Sequence, residues 1–321
     1  MTIKQVCVTG GAGFVGSSIV RKLDAAGYQV KVLTRHRERA KHLILLPNVQ
    51  VQTCDVNDNV ALTESLRGCD AVINLVGILH ETKNNTFESI HHQLPKRIAQ
   101  LCNDSGITRF LHMSALRASD NAPSQYLRSK AQGEAALSLF HNTMNVTIFK
   151  PSVIFGRADH FLNLFASLVK FLPVIFLAKP DAKFQPIWVE DVASIFVHSL
   201  QNAGTYAKSY ELAGPSVYSM RELVQTVMQV LNKQRPIIGL SDTLSYLQAW
   251  MMEWLPIKLI TRDNVRSMEV DSVAESPMAS EIELPLMPLE AVIPEYIINK
   301  TPRAAYDQFR TAAGRIINAR R

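Results

Sequence analysis

The hydrophobic pattern changes period repeatedly along the first half of the chain. Residues 3–9 form a short β-type run. Residues 14–26 follow with Val15, Ile19 and Leu23 at i, i+4 and i+8, on one helical face. Runs at 29–34 and 49–53 predict two more strands, 57–67 a helix stopped by Gly68, and 70–76 a fully apolar strand. A helix at 87–104, a strand at 109–113, a helix at 129–140 and a strand at 146–149 continue the alternation. Strands that are apolar throughout, each followed by a helix, imply a parallel sheet covered on both faces. The fold class expected is α/β, a Rossmann-type doubly wound parallel sheet with a small C-terminal substrate or partner lobe.

The second half is less regular. Residues 161–178 predict a hydrophobic helix ending near Pro173, 187–189 a strand, and Glu190-Asp191 the start of another helix. Residues 210–213 are again strand-like. Ser219, with Glu222 three residues on, is a capping box for a helix at 220–231. Residues 269–295 hold seven acids, no base and prolines at 277, 285, 288 and 294, the pattern of a solvated connector or wrapping segment. The expected division is 1–156 for the Rossmann-type core, 157–299 for a mixed region completing the sheet and forming the lobe, and 300–321 for a basic amphipathic tail.

Composition narrows the function classes. Of 321 residues, 47% are hydrophobic and 19% charged, which supplies a sizeable core and excludes wholesale disorder. The formal charge is +6, but residues 300–321 carry six bases against Asp307 alone. The rest of the chain is close to neutral, which argues against nucleic acid as a partner. Cys7, Cys54, Cys69 and Cys102 form no CxxC pair and read as small buried hydrophobes in a reducing compartment. Met1-Thr2 leads directly into a strand pattern, so no leader is expected, and no apolar run reaches the ~18–20 residues of a membrane span. The expected location is cytoplasmic, with peripheral attachment to the inner face of the membrane. His91 and His92 face different directions on a helix, so no metal site is expected. His80 follows the fourth strand as a substrate contact or a loop histidine without a role.

After the first strand comes Gly10-Gly11-Ala12-Gly13-Phe14-Val15-Gly16, then at once an amphipathic helix. Glycines allow a tight turn and close approach of a pyrophosphate, whose charge the helix N-terminus favours. The alternative is a purely structural turn. The second strand ends Val32-Leu33-Thr34-Arg35, followed by His36, Arg37 and Arg39, where an NAD-selective site would place an acid. Guanidinium groups suit a ribose 2′-phosphate, so NADP(H) is expected over NAD(H); the bland alternative is a solvated basic helix start. Asp55-Val56 ends the third strand, with Asp55 placed to accept from an adenine amino group or to cap the next helix.

Several motifs together resemble the short-chain dehydrogenase/reductase superfamily. They are Gly10–Gly16, Asp55-Val56, Asn74-Leu75-Val76-Gly77, Ser114 and Tyr126-Leu127-Arg128-Ser129-Lys130. The stretches Lys150-Pro151-Ser152-Val153-Ile154-Phe155-Gly156-Arg157 and Trp188-Val189-Glu190-Asp191 resemble downstream motifs of its extended and atypical branches, which include NAD-dependent epimerases/dehydratases. His112-Met113-Ser114, Tyr126 to Glu134 and Thr261-Arg262-Asp263-Asn264-Val265 are similar to the nucleotide-binding accessory subunits of respiratory complex I and their bacterial relatives. That resemblance implies an NADPH-holding structural component or a link to ubiquinone synthesis. It also implies cofactor contacts at Val76, Gly77, Lys130 and Pro151.

Tyr126 and Lys130, four apart, share a helical face. An ammonium there is expected to lower the phenol pKa and ease proton exchange. Ser114 is placed to hydrogen-bond the reacting oxygen. The resemblance assigns the three as proton donor, ribose-gripping lysine and orienting serine. The serine-to-tyrosine segment is shorter than sugar-nucleotide epimerases usually have, which weighs against epimerase chemistry. Lys130 held for ribose alone and Tyr126 for packing is the scaffold alternative.

Residues 244–260 hold Trp250, Met251, Met252 and Trp254, as a core-packing helix pair or a contact for a partner or membrane surface. The tail at 300–321, with Phe309, Ala313, Ile316 and Ile317 on one face, suits anionic lipid, an acidic partner or the acidic segment 269–295. The expected function is NADP(H)-dependent alcohol/carbonyl oxidoreduction on an unidentified, hydrophobic or quinone-pathway small molecule. A non-catalytic nucleotide-holding subunit or assembly factor of a respiratory complex stands beside it, and a dinucleotide-sensing regulator behind both.

Overall fold

The computed structural model describes residues 2–255 and 259–298. In chain order the main strands are β1 (Gln5–Thr9), β2 (Gln29–Thr34), β3 (Val49–Thr53), β4 (Ala71–Asn74), β5 (Arg109–Met113) and β6 (Asn145–Pro151), joined later by β11 (Lys208–Leu212). They form a seven-stranded sheet in the order β11-β6-β5-β4-β1-β2-β3, every neighbouring pair parallel. The strand order reverses between β1 and β4, where a doubly wound sheet opens its ligand crevice.

Helices cover both faces. α1 (Phe14–Ala25) and α6 (Val189–Ser199) bury Ile19, Leu23, Val192 and Phe196 against one side. α2 (Asn59–Leu66), α3 (Leu94–Asp104) and α4 (Gln125–Ser138) cover the other, over Val72, Ile98 and Phe110. Parallel strands buried on both sides need no alternation, which is why β4 is apolar until Asn74. Buried Arg109 has no acidic partner among the described residues, and it ties the start of β5 to β6, the end of α6 and the loop before β11. Its guanidinium donates to the carbonyls of Asn145, Ser199 and Leu200 and to the hydroxyls of Thr147 and Thr205, at 2.6–3.0 Å.

A smaller lobe is built around α5 (Phe161–Phe171), α7 (Met220–Val230) and α10 (Leu289–Ile297). Three short ladders frame it. β7 (Ile154–Phe155) pairs with β10 (Ile187–Trp188), β8 (Ile175–Leu177) with β13 (Ile237–Gly239), and β9 (Lys183–Phe184) with β12 (Tyr218–Ser219). α8 (Asp242–Met252) and the short α9 (Arg262–Ser267) complete it. The Ser219–Glu222 capping box forms at the start of α7.

Four expectations need correction. The helix expected over 161–178 stops at Phe171, because Pro173 cannot continue it and β8 follows. α4 begins at Gln125, not 129: Ser124 accepts from Leu127 N, and the Asp263 carboxylate accepts from Gln125 N and Tyr126 N. Residues 87–104 are not uniformly α-helical; Glu88–Gln93 form a wide π turn ahead of α3. The acidic segment is more than a solvated connector. It runs along β11, where Glu275 N donates to Glu211 and Lys208 pairs with Glu281, and then enters the lobe core as α10. There Val292, Ile293 and Ile297 are buried.

Candidate active site

The crevice is made by the loop after β1 and the ends of β4, β5 and β6. Gly10 has φ +74°, and a Cβ there would lie 3.0 Å from the Leu75 carbonyl carbon. A Cβ on Gly16 would lie 2.3 Å from Gly10 O, so only glycine lets α1 start on top of the loop. Gly13 caps α1 without a side-chain hydrogen bond, and Phe14, Val15 and Gly16 follow with no acid in the first turn. Gly11 packs on Val8 and Val32. Backbone donors at a positive helix end, kept clear of side chains, fit a pyrophosphate.

Arg35 follows β2 and is exposed, as are Arg37 and Arg39; none makes an ion pair with a described residue. Asp55, also exposed, accepts from Asn57 N at 3.0 Å, while Asp58 caps α2 by accepting from Val60 N and Ala61 N. The capping alternative for Asp55 therefore falls to Asp58. Val56 O accepts from Arg97. Pro151 ends β6, and its carbonyl accepts from Leu116 N.

The crevice floor is a buried polar row that local sequence patterns do not reveal. Thr9, Asn74 and His112 lie in register on β1, β4 and β5. Thr9 Oγ1 donates to Asn74 Oδ1 at 2.8 Å, and Asn74 Nδ2 donates to His112 Nδ1 at 3.2 Å. That leaves the His112 proton on Nε2, which has no partner among the described residues. Burial, aided by the nearby Lys130 charge, pushes His112 down to about 3.

α4 brings Tyr126, Lys130 and Glu134 to one face. Lys130 is buried, and its Nζ donates to Met113 O at 3.2 Å. A Cβ on Gly77 would come within 3.3 Å of that nitrogen, so Val76-Gly77 brings the β4 end directly against it. Burial pushes Lys130 down to about 8. The Tyr126 ring stands edge-on to His91 and Phe87, with centroids 5.4 and 5.9 Å away. Burial pushes its phenol up to about 12, the opposite of the lowering expected from a neighbouring ammonium. The phenol is therefore protonated at neutral pH. His91 is neutral, pushed down to about 2 chiefly by burial. Its Nε2 accepts from Ile78 N and its Nδ1 donates to Ser129, whose hydroxyl donates to Tyr126 O. A Cβ on Gly133 would lie 2.1 Å from His91 O, so glycine lets α4 pass against the π turn.

Ser114 Oγ donates to the Glu134 carboxylate, which also pairs with Lys150 at 3.4 Å. Glu134 and Lys150 are the site residues sequence reasoning missed. A signal existed: Glu134 lies four positions beyond Lys130, on the same face. Asp263 was also missed; it belongs to α9 and meets α4 only through tertiary packing. His80 is exposed, and His92 pairs with Glu88 rather than with His91.

Comparison with known proteins gives this geometry a context. The sequence profile of the NAD dependent epimerase/dehydratase family matches residues 6–213. The chain is 30% identical over 298 residues to the mitochondrial NADH dehydrogenase [ubiquinone] 1 alpha subcomplex subunit 9 of Arabidopsis thaliana, covering 89% of this chain and 73% of that protein. It is 34% identical over 233 residues to the Mus musculus protein of the same name, covering 70% of this chain and 61% of that protein. Among solved structures, the dTDP-glucose 4,6-dehydratase of Streptomyces venezuelae with NAD bound superposes with a TM-score of 0.72 at 20% identity, over 96% of this chain and 98% of that one.

Proposed function

The chain belongs to the NAD dependent epimerase/dehydratase family, and on that premise we propose that it is an NADP(H)-preferring oxidoreductase of alcohol and carbonyl groups. The observation that carries the reading is the shared face of α4, where a protonated Tyr126 lies one turn from the buried Lys130 at the crevice. The Gly10–Gly16 loop would hold the pyrophosphate, Arg35 the 2′-phosphate, Asp55 and Val56 the adenine side, and Lys130 the nicotinamide ribose. Val76, Gly77 and Pro151 would frame the rest of the dinucleotide. A bound nicotinamide supplies or accepts the hydride. In the reducing direction Tyr126 Oη gives its proton to the carbonyl oxygen as the C–O bond becomes an alcohol. Lys130 then stabilises the phenolate until solvent reprotonates it. Ser114, released from Glu134, would hydrogen-bond the same oxygen. The partly apolar surroundings and the printed names of the mitochondrial relatives support a hydrophobic or quinone-pathway substrate, met at the cytoplasmic face of a membrane.

The test is loss of NADPH absorbance with quinone and carbonyl substrates, abolished in Tyr126→Phe with NADPH affinity retained. Turnover unchanged in Tyr126→Phe would refute the assignment. One observation favours a second reading: Ser114 is already engaged by Glu134. With relatives named as subunits of NADH dehydrogenase, this supports a nucleotide-holding subunit or assembly factor of a respiratory complex. Stoichiometric bound NADPH without turnover on any substrate would select it.

A further inference from the structure

α8 is turned inside out. Leu244, Leu247, Met251 and Trp254 recur at i, i+3, i+7 and i+10 and are all exposed, with Trp250 beside them. The positions facing the protein are Ser245 and Ala249, both fully buried. A soluble helix normally places these two sets the other way round. The core-packing alternative for this stretch is therefore contradicted by the structure, within the described residues.

The outward face does not end at α8. Gln248 donates to Phe176 O, which ties the helix to β8. On the β8–β13 ladder Phe176 sits opposite Ile238, and both are exposed while Ile175 and Leu177 fill the lobe core. Phe171, 83% exposed, ends α5 just before β8, and Trp254 is 78% exposed just after α8. Contiguous apolar surface of this kind marks a contact site.

The surrounding charge selects the occupant. Residues 161–178 and 231–241 contain Lys170, Lys233 and Arg235 and no acid. Lys170 and Lys233 are exposed and make no ion pair with a described residue. The acids flanking α8 are already engaged, Asp242 with Lys179 and Glu253 with Arg262. The face thus offers aromatic and aliphatic side chains with uncompensated cations at the rim, complementary to an apolar layer behind anionic headgroups. Tryptophans are favoured at such a boundary, where the ring is buried and its N–H stays wet. No helix among the described residues is long and apolar enough to cross a membrane.

We propose that the face formed by α8, the β8–β13 ladder and the end of α5 docks on the surface of an anionic lipid bilayer. It lies close to the catalytic helix. α9 follows α8, Arg262 pairs with Glu253, and Asp263 caps the end of α4 that carries Tyr126. A substrate partitioned in the bilayer would therefore meet the crevice beside the docked face, a consequence that rests on the oxidoreductase reading.

The experiment is co-sedimentation of the full chain, without dinucleotide, with vesicles of phosphatidylcholine alone or mixed with phosphatidylglycerol. Binding is expected to the mixed vesicles, with a blue shift of tryptophan emission. Phe176→Glu with Trp254→Glu should weaken it about tenfold or more, because affinity scales with buried apolar area. Lys170→Gln and Lys233→Gln should each weaken it about fivefold on the mixed vesicles. All variants should bind NADPH as the parent does, since the substituted side chains are exposed. Binding unchanged by the Phe176/Trp254 pair overturns the proposal, as does binding lost only on deletion of 299–321. No vesicle binding by the parent, with capture of a protein partner through the same residues, also overturns it. Docking without turnover keeps the surface and removes the reaction, so the two failures are separable.

Discussion

Substitution of Lys130 by methionine should make the apoprotein more stable at neutral pH. The ammonium is buried on α4, and its pKa falls from 10.5 to about 8. At 1.36 kcal/mol per pKa unit, this penalty is about 3 kcal/mol. Removing the side chain also forfeits the hydrogen bond to Met113 O, a charge-assisted contact worth about 1.5 kcal/mol. The net gain at pH 7 is about 2 kcal/mol. Because the folded value lies below the unfolded one, the full penalty is present below about pH 8, where both states are protonated. As pH rises from there to 10.5 the native state loses its proton first and the penalty fades. Above 10.5 both states are neutral and only the lost hydrogen bond remains, so the variant should become the less stable protein. Urea denaturation of parent and variant at pH 7 and at the alkaline end of this window gives the comparison, with effects common to both chains cancelling. A variant less stable at pH 7, by a gap that does not change with pH, would refute the reasoning. The gain should come with loss of dinucleotide affinity, the usual exchange at a functional site.

Three other outcomes follow from the geometry. Gly16→Ala places a Cβ against Gly10 O, so it should abolish dinucleotide binding and cost about 1–3 kcal/mol in thermal unfolding. Arg35→Asp should weaken NADPH by about tenfold to a hundredfold, from a lost charge-assisted bond of about 1.5–3 kcal/mol, and leave NADH nearly unchanged; titration calorimetry with both nucleotides reads it. Arg109→Met removes the guanidinium donor from the carbonyls of Asn145, Ser199 and Leu200 and should cost about 3–5 kcal/mol in denaturant unfolding, with nucleotide affinity of the folded fraction retained.

The first half of the chain was legible because its information is local. A buried parallel strand is a short apolar run, and the helix after it repeats at 3.6 residues, so β1 to β6 fall within a few residues of their expected bounds. The glycine loop was legible for the same reason, since strand, turn and helix are consecutive. What escaped depends on contacts between distant segments. The two-residue strands β7, β9 and β12 exist only because their partners are brought alongside. α10 contains Pro294 and follows an acidic, proline-rich stretch, and burial in the lobe outweighs that pattern. The Thr9–Asn74–His112 row requires the register of three strands. Tyr126 and Lys130 were found from their spacing, but their titration was not, because burial rather than mutual charge dominates both. The expected amphipathic tail at 300–321 lies outside the described residues.

The segment that runs along β11 meets it through Glu211 and Lys208 rather than as an eighth strand. It nevertheless occupies the margin where an intruding chain would otherwise extend the hydrogen-bonded ladder. The opposite margin, β3, has no strand beyond it among the described residues and alternates valine with glutamine. Any strand addition between copies would thus be confined to one side. Growth through a single self-complementary margin terminates at two molecules, whereas two open margins would propagate into a fibre.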